Sequence, residues 1–561
     1  MAQLARLATP RALLLGAAGL VLVVHSLAYN FVTDDAYISF VFSRNFAEHG
    51  ELTFNPGMPV EGYTNFLWTF VLGILMLVGI PPEYASRFLG TVCALATLWL
   101  VCRIVDRALE RRSPWAVLPA WLLACSSGFA CWTSGGLETQ LFTMLVVGAL
   151  DAVIASTTEP RAIRRAGWLL ALAAMTRPEG PLLAAMLGAA RVVQLVLVWR
   201  ADRKLPPVRE ELIAAAWFLG IWLPWFAWRW WYYGHPFPNT YYVKASGDWL
   251  VPKMAGEMRD AGFHYIWVWL AQTRLLWALP VAAIGLVAVR GRTPRFVATV
   301  ACGLVAAVYV PYAISVGGDF MGLHRFIMPM FAVAAIAVTL GLEWLARRVP
   351  GAWSPRRFAI PAVAGLILAA FAFTQVRLTA DSLPCHEIGM WSAHECSPGT
   401  RPKNTAADRG VIDTPAFLMV YTEDRATIGR AFAGCFRDND FSIFGGVGAK
   451  PYFSGGRGVD VFGLVSAVIG HEEPRMRPRA GHTKWGSDEV LYRTYNPTFV
   501  FHCYDLHRTA AQPQLGHCSS FWRARGYELV TMHIPGLRER GEYYTFLAKK
   551  TRAFQCPGRI K

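Results

Sequence analysis

Apolar residues in this chain are gathered into long blocks, and each block is closed by a short polar or basic connector. Eleven blocks are long enough to read as membrane-crossing helices: 11–30, 84–104, 114–133, 137–156, 163–177, 181–199, 212–232, 266–289, 296–316, 326–346 and 357–377. The connectors RIVDRALERR (103–112), RAIRR (161–165), WRADRK (199–204), RGRTPR (290–295) and RRVPGAWSPRR (347–357) are rich in arginine and lysine. One further apolar stretch, TNFLWTFVLGILMLVGIPP (64–82), breaks the pattern. Counted as a span, it would put RALERR on the outer side and invert every later loop against the positive-inside rule. Read as a helix lying along the outer membrane face, it places every basic connector inside. The expected topology is eleven spans, with the N-terminus cytoplasmic and the C-terminus outside.

The pattern changes after residue 377. Residues 378–561 are polar, rich in Gly and Pro, and hold no run long enough to span. The segments 497–504, 526–534 and 543–548 read as strands, which predicts a small soluble α/β or α+β domain outside the membrane. Six of the 11 cysteines lie there: Cys385, Cys396, Cys435, Cys503, Cys518 and Cys556. An even number in an outward-facing domain fits disulfides, whose pairing the spacing leaves open. The expected division is a membrane domain over 1–377 and an extracytoplasmic domain over 378–561.

Composition fits this reading. Hydrophobic residues make up 54% of the chain and charged ones only 16%, against about 25% charged in ordinary soluble proteins. The net charge of +16 is explained by the inner connectors, so nucleic acid is not an expected partner. No small-residue cleavage site precedes Asp34, so the first block reads as a retained helix and not a signal peptide.

With this topology, the unusual polar motifs collect on the outer face: DDAYISFVFSRNFAEH (34–49), SGGLET (134–139), TRPEG (176–180), YGHPFPNTYYVK (233–244) and GGDFMGLHR (317–325). Ionisable groups at the bilayer edge are costly and tend to be functional. Asp34 and Asp35 follow Thr33, a good N-cap, so a capped juxtamembrane helix accounts for them structurally. The alternative is a general base at the lipid–water boundary, with adjacent acids on different helix faces taking different roles. Arg177 suits either a snorkelling anchor or a lipid-borne phosphate, and His324 with Arg325 forms a second cationic site. Glu138, Glu179, His235, Asn239, Tyr241, Lys244 and Asp319 complete the set expected to touch substrate, although Glu138 and Lys244 equally suit satisfied loop charges. Asp34 with Glu138 is a weak candidate pair for a divalent cation. The chain has no P-loop, no GxGxxG after a strand, no HExxH and no GxSxG, so a nucleotide-sugar donor or an ATP-driven pump is not expected.

Taken in order, DDAYISFVFSRNFAEHGELTFNPGMPVEGYTNFLW, GLET, TRPEG, GHPFPNTYYVK and GGDFMGLHRF resemble the GT-C glycosyltransferases over about residues 30–345. The likeness is to the bacterial terminal arabinofuranosyltransferase and LphB-like branch. It is more distant to the protein mannosyltransferases and the lipid A aminoarabinose transferase. It extends weakly into the tail through PYFSGGRGVDVFGLV (451–465) and Gly481-His482. The resemblance implies a GT-C fold with juxtamembrane helices in the first outer loop. It also implies a bacterial inner-membrane location, a polyprenyl-phosphate-linked sugar donor and a glycan or lipid acceptor on the outer side. The first acid of the pair, Asp34, then becomes the base with Asp35 second, and Arg177, His324 and Arg325 hold the donor phosphate. A flippase would require ionisable groups near mid-membrane in matched halves, and a non-catalytic scaffold would tolerate loss of Asp34 or Arg177.

Overall fold

The computed structural model describes residues 10–204, 206–244, 252–287, 293–348, 356–383, 414–474, 481–511, 515–538, 541–552, 554 and 556. The chain is mostly helical, a multi-pass membrane protein carrying a small sheet domain at its C-terminal end. Among the described residues, seven helices are long and apolar enough to cross a bilayer, or nine if two bent pairs each count as one span.

A helix occupies each of the eleven expected blocks, but four of them are not simple spans. Thr139–Ala155 and Ile163–Thr176 have only 17 and 14 residues, short of the roughly 20 that a bilayer needs. All but one or two residues of Thr139–Ala155 are buried, because other helices surround it. Its apolar sequence answers to protein neighbours more than to lipid. The 114–133 block breaks at Ser126, where Pro114–Cys125 and Ser127–Ser134 meet at 64°. The 266–289 block breaks more sharply, at 87°, between a helix ending at Gln272 and one starting at Leu275. Arg274, at that corner, takes a left-handed φ of 55°. The 64–82 stretch holds one helix of 12 residues, Phe66–Leu77, about 18 Å long at 1.5 Å per residue and so too short to span.

The basic connectors share one end of the bundle. Arg111 and Arg295 reach the buried Glu343 at 3.2 and 3.3 Å, and Arg347 joins them. Asp151 takes Arg103 and Arg107, Arg11 pairs with Asp106, and Arg164 pairs with Glu210. A buried carboxylate needs such partners, since an unpaired charge in a dry interior costs several kcal/mol. At the other end of the same helices Arg87 donates to Asn30 at 2.7 Å, and there the polar motifs and the C-terminal domain gather.

The last membrane helix, Arg356–Ser382, runs past the expected boundary at 377. The C-terminal domain is a five-stranded sheet in the order β2-β1-β3-β5-β4. Its strands are β1 Ser442–Phe444, β2 Gly458–Asp460, β3 Phe499–His507, β4 Tyr527–His533 and β5 Tyr543–Lys549. β2, β1 and β3 run parallel, while β3, β5 and β4 pair antiparallel. The three expected strands are β3, β4 and β5. β1 and β2 are three residues each and wholly buried, so they carry no alternation to read. Disulfides join Cys435 to Cys556 and Cys503 to Cys518; Cys385 and Cys396 lie outside the described residues.

The two parts are tied by buried polar contacts. Asn55 exchanges two hydrogen bonds with the backbone of Gly458, both 2.9 Å. Asn239 donates through Nδ2 to the carbonyls of Gly463, Leu464 and Ser466. A buried Glu61–Arg229 pair braces the first outer loop, and the Glu61 carbonyl accepts from Asn239 N–H at 3.0 Å.

Candidate active site

The helix Asp34–His49 begins where the chain leaves the helix Pro10–Tyr29, and its first turn carries both acids. Successive residues on a helix point about 100° apart, and here the two carboxylates face different surroundings. Asp34 faces the C-terminal domain. Its Oδ1 accepts the Ala449 N–H at 2.8 Å, and Arg425 and Lys450 are its nearest cations. Burial lifts its carboxyl to about 6, with the Ala449 bond opposing and the neighbouring Asp35 adding to the rise. Gly448 is required here, because a Cβ would lie 2.1 Å from the Asp34 carbonyl oxygen.

Asp35 faces a charged chamber shared with Arg325, Lys244, Asp319 and Glu138. Burial raises its carboxyl above the ordinary range, while Arg325 and Lys244 pull the other way. Lys244, at the end of the short helix Asn239–Lys244, is accessible to solvent yet walled by protein, as a group lining a wet chamber would be. That enclosure lowers its ammonium from the usual lysine value, against the pull of Asp35. Among the described residues its side chain makes no hydrogen bond or ion pair.

Arg325 reaches the chamber through an unusual turn. Gly317, Gly318, Leu323 and His324 all take left-handed φ values, between 58° and 84°. At Gly318 a Cβ would sit 2.4 Å from Tyr265 Cγ. Two adjacent non-glycine residues in this region cost about 1–2 kcal/mol each, a strain that the surrounding contacts of the GGDFMGLHR turn must hold. Trp132 Nε1 bonds the Gly322 carbonyl at 3.0 Å, and Tyr309 bonds that of Phe326 at 2.7 Å. Arg325 Nε donates to Asp319 at 2.9 Å, and its terminal nitrogens have no hydrogen-bond partner among the described residues.

Several expected site residues have other work. Arg177 forks onto Glu179, with Nε at 3.1 Å, and reaches Glu138 at 3.0 Å through Nη1. Glu138 also accepts from Asn65 at 2.9 Å. Two buried acids engage this guanidinium, so in this structure its donors serve Glu138 and Glu179. His324 is buried, pairs through Nε2 with Gln272 Oε1 at 2.8 Å and lies against the Tyr265 ring. Asn239 is the interdomain clamp described above. His235 stacks on His471 at 4.1 Å, and Tyr241 packs on Phe237 at 4.6 Å, both away from the acids. Asp34 and Glu138 do not share a site, since their oxygens are engaged by different partners.

The sequence reading missed Asp460. It is fully buried at the end of β2 and accepts Leu464 N–H and Val465 N–H at 3.0 and 2.9 Å. Burial lifts its carboxyl to about 6, and Lys244 is the cation near it. Its motif, PYFSGGRGVDVFGLV, was visible in the sequence, but no spacing rule singles out one acid there. Among the described residues, the group of three close metal-type donors is Asp488, His502 and Cys518, inside the C-terminal domain.

No protein-family profile and no curated protein sequence matches the chain. Solved structures do. ArnT from Cupriavidus metallidurans bound to undecaprenyl phosphate aligns over 97% of this chain and 98% of its own, with a TM-score of 0.56 at 12% identity. The same enzyme in the apo state aligns over 96% and 98%, with a TM-score of 0.52 at 13% identity. The fold is that of the GT-C glycosyltransferases. It does not single out the arabinofuranosyltransferase and LphB-like branch expected from the motifs. The expected fold class is found, and the likeness does not extend to the expected branch.

Proposed function

We propose that the chain is an integral-membrane glycosyltransferase. It moves a sugar from a polyprenyl-phosphate donor to an acceptor hydroxyl on the outer face of the bacterial inner membrane, in cell-envelope glycan or glycolipid assembly. The observation that carries this is Arg325, held by Asp319 at 2.9 Å with its terminal nitrogens open among the described residues, and near enough to Asp35 and Lys244 for their charges to act on one another. A carboxylate beside two cations with open donors suits one group that takes a proton and one that leaves as phosphate.

Asp35 accepts the proton of the acceptor hydroxyl as its oxygen attacks C1 of the sugar. The C1–O bond to phosphate breaks on the opposite face, and polyprenyl phosphate leaves with the electron pair. Lys244 and Arg325 stabilise the charge that builds on its oxygens, in surroundings drier than bulk water, where such contacts are strong. One displacement gives inversion and needs one base, unlike the two-carboxylate chemistry of retaining glycosidases. Asp34 sits on the domain-facing side and holds the helix.

A route for the lipid tail supports the reading. An apolar cavity of about 450 Å³ runs between membrane helices, lined by Trp269, Arg274, Trp277, Phe331 and Phe371 among others. Trp269 belongs to the helix that ends at Gln272, which pairs with His324, the residue before Arg325. A polyprenyl chain lying there would bring its phosphate toward Arg325. The fold neighbour holding undecaprenyl phosphate supports the same donor class.

The test is sugar transfer by purified protein in liposomes offered a panel of polyprenyl-phosphate sugars. Asp35→Asn and Asp34→Asn are run beside wild type with folding checked. Transfer abolished by Asp35→Asn and retained in part by Asp34→Asn is expected. Transfer by wild type that survives Asp35→Asn overturns the base assignment, and lipid-phosphate binding without turnover from any donor favours a flippase.

A further inference from the structure

A second polar cavity lies outside the charged chamber. It has a volume of about 430 Å³ and sits between the start of the first outer loop and the C-terminal domain helix Pro415–Ala431. Its membrane-side wall holds Asn30, Tyr37, Glu83 and Arg87, and its outer wall holds Thr427 and Arg430. We propose that this cavity binds the acceptor, as the headgroup of an uncharged, sugar-headed lipid. The inference rests on the glycosyl-transfer reading above and names its second substrate.

The position argues for a lipid. Asn30 follows the last turn of the helix Pro10–Tyr29, and Glu83 and Arg87 lie in the first turns of the helix Pro82–Leu109. Within a turn of them, Leu27, Tyr84 and Phe88 are 63%, 66% and 69% exposed. Large apolar side chains left open at the outer ends of membrane helices face acyl chains, and tyrosine favours the interface. A ligand here therefore meets hydrocarbon on one side and a polar pocket on the other.

The charges argue for a neutral headgroup. Three arginines in the wall, Arg87, Arg430 and Arg538, are matched by Glu83, Glu423 and Asp424. Several cancel one another, since Arg538 pairs with Glu423 and its N–H meets Asp424. A pocket for phosphate would carry a surplus of cations, which this wall lacks. What is left open here is hydrogen bonding. Among the described residues, the hydroxyl of Tyr37, which opens on the cavity, and the Glu83 carboxylate make no hydrogen bond. The Arg430 guanidinium stacks on Phe453 at 4.2 Å and makes none either. A donor–acceptor hydroxyl, an acceptor carboxylate and a donor fork suit a ligand bearing many hydroxyls.

The location also suits an acceptor. Tyr37 is one helical turn after Asp34, on the helix that carries both acids. A headgroup seated against Tyr37 lies on the Asp34 side of that helix, and its reacting hydroxyl reaches Asp35 round the helix's first turn, while the donor's apolar groove lies among other helices. The two lipids would then reach the acids from separate flanks.

The test uses full-length protein carrying Thr427→Cys in phosphatidylcholine vesicles. The five free cysteines among the described residues are all buried, Cys385 and Cys396 are replaced by Ser, and the same protein without Thr427→Cys gives the background of maleimide labelling. Vesicles are doped with a diacylglycerol bearing two glucose units, with phosphatidylglycerol, or with undecaprenyl phosphate. Labelling slowed several-fold by the glucosyl lipid alone, with the protection lost in Arg430→Ala and Tyr37→Phe backgrounds, is expected. Equal labelling in all vesicles overturns the proposal. Protection by phosphatidylglycerol makes this an anionic-lipid site, and protection by undecaprenyl phosphate makes it a donor site; either overturns it. If Thr427→Cys fails to fold, Glu423→Cys on the exposed side of the same helix gives the same readout. Protection without sugar transfer from any donor would leave the binding site standing and remove the enzymatic reading.

Discussion

Asp34 accepts a hydrogen bond from the Ala449 N–H at 2.8 Å, across 415 positions of sequence. The first acid of the outer loop and the C-terminal domain are therefore one structural unit. Docking of that domain fixes the helix whose next residue, Asp35, faces the chamber. The predictions below follow from this division of labour between the two acids and from the partners that surround them.

Asp35→Asn should lower glycosyl transfer by 10²–10⁴-fold, the usual contribution of a general base. Asp34→Asn should cost far less, since an amide oxygen can still accept from Ala449. Steady-state transfer rates in liposomes distinguish them.

The pH profile should carry the same signature. Burial raises the Asp35 carboxyl, and the base must be ionised, so activity falls with acidification at a pH above the ordinary carboxylate range of about 4. Lys244 opposes that rise, so Lys244→Ala should move the acid limb upward as well as weaken binding of polyprenyl phosphate. A limb that stays in place in Lys244→Ala refutes their coupling.

Stability should respond to Asp34 in a defined direction. Its folded pKa of about 6 lies above the ordinary aspartate value of 3.8, so the folded state favours the protonated acid. That contribution is fully present below about 4 and is lost as pH rises through 6. Asp34→Asn should therefore be more stable than wild type between pH 5 and 8, by on the order of 1–3 kcal/mol, read as a higher melting temperature. A gain on acidification instead would reverse the assignment.

Arg177→Ala should destabilise the protein by about 3–5 kcal/mol, because Glu138 and Glu179 are left buried without a cation. Adding Glu179→Gln should recover part of that loss. A phosphate ligand would lose donor affinity with stability intact, so thermal melting beside donor binding decides the role.

Gly448→Ala should loosen the docked domain. Its Cβ would meet Asp34 O at 2.1 Å and Cγ at 2.4 Å, an overlap that costs about 1–3 kcal/mol or displaces the loop. A lower melting temperature, together with lower transfer, is the expected outcome.

The helical blocks, the basic ends and the strands β3 to β5 were legible in the sequence because each rests on local periodicity or on the cost of burying charge in lipid. The failures have physical causes too. Thr139–Ala155 reads as a span because a helix inside a bundle and a helix in lipid are equally apolar. The 87° corner after Gln272 has no proline or glycine to announce it. β1 and β2 are too short to show a period. The motifs picked out polar loops that gather at one end of the bundle but could not rank residues within them. Arg177 and Arg325 look alike in sequence, yet one is consumed by Glu138 and Glu179 while the other keeps its terminal nitrogens open.

The sequence by itself determined a multi-pass helical chain with basic residues at one end, polar motifs at the other, and a small sheet domain after them. Those properties follow from hydrophobic periodicity and desolvation, which act residue by residue. Only the tertiary structure decided which acid faces the cations, which arginine is free, and that Asp460 and the Gly448 loop belong to the same neighbourhood. Those depend on contacts between segments hundreds of residues apart, where one helical step of about 100° turns a neighbour of the chamber into a neighbour of the domain interface.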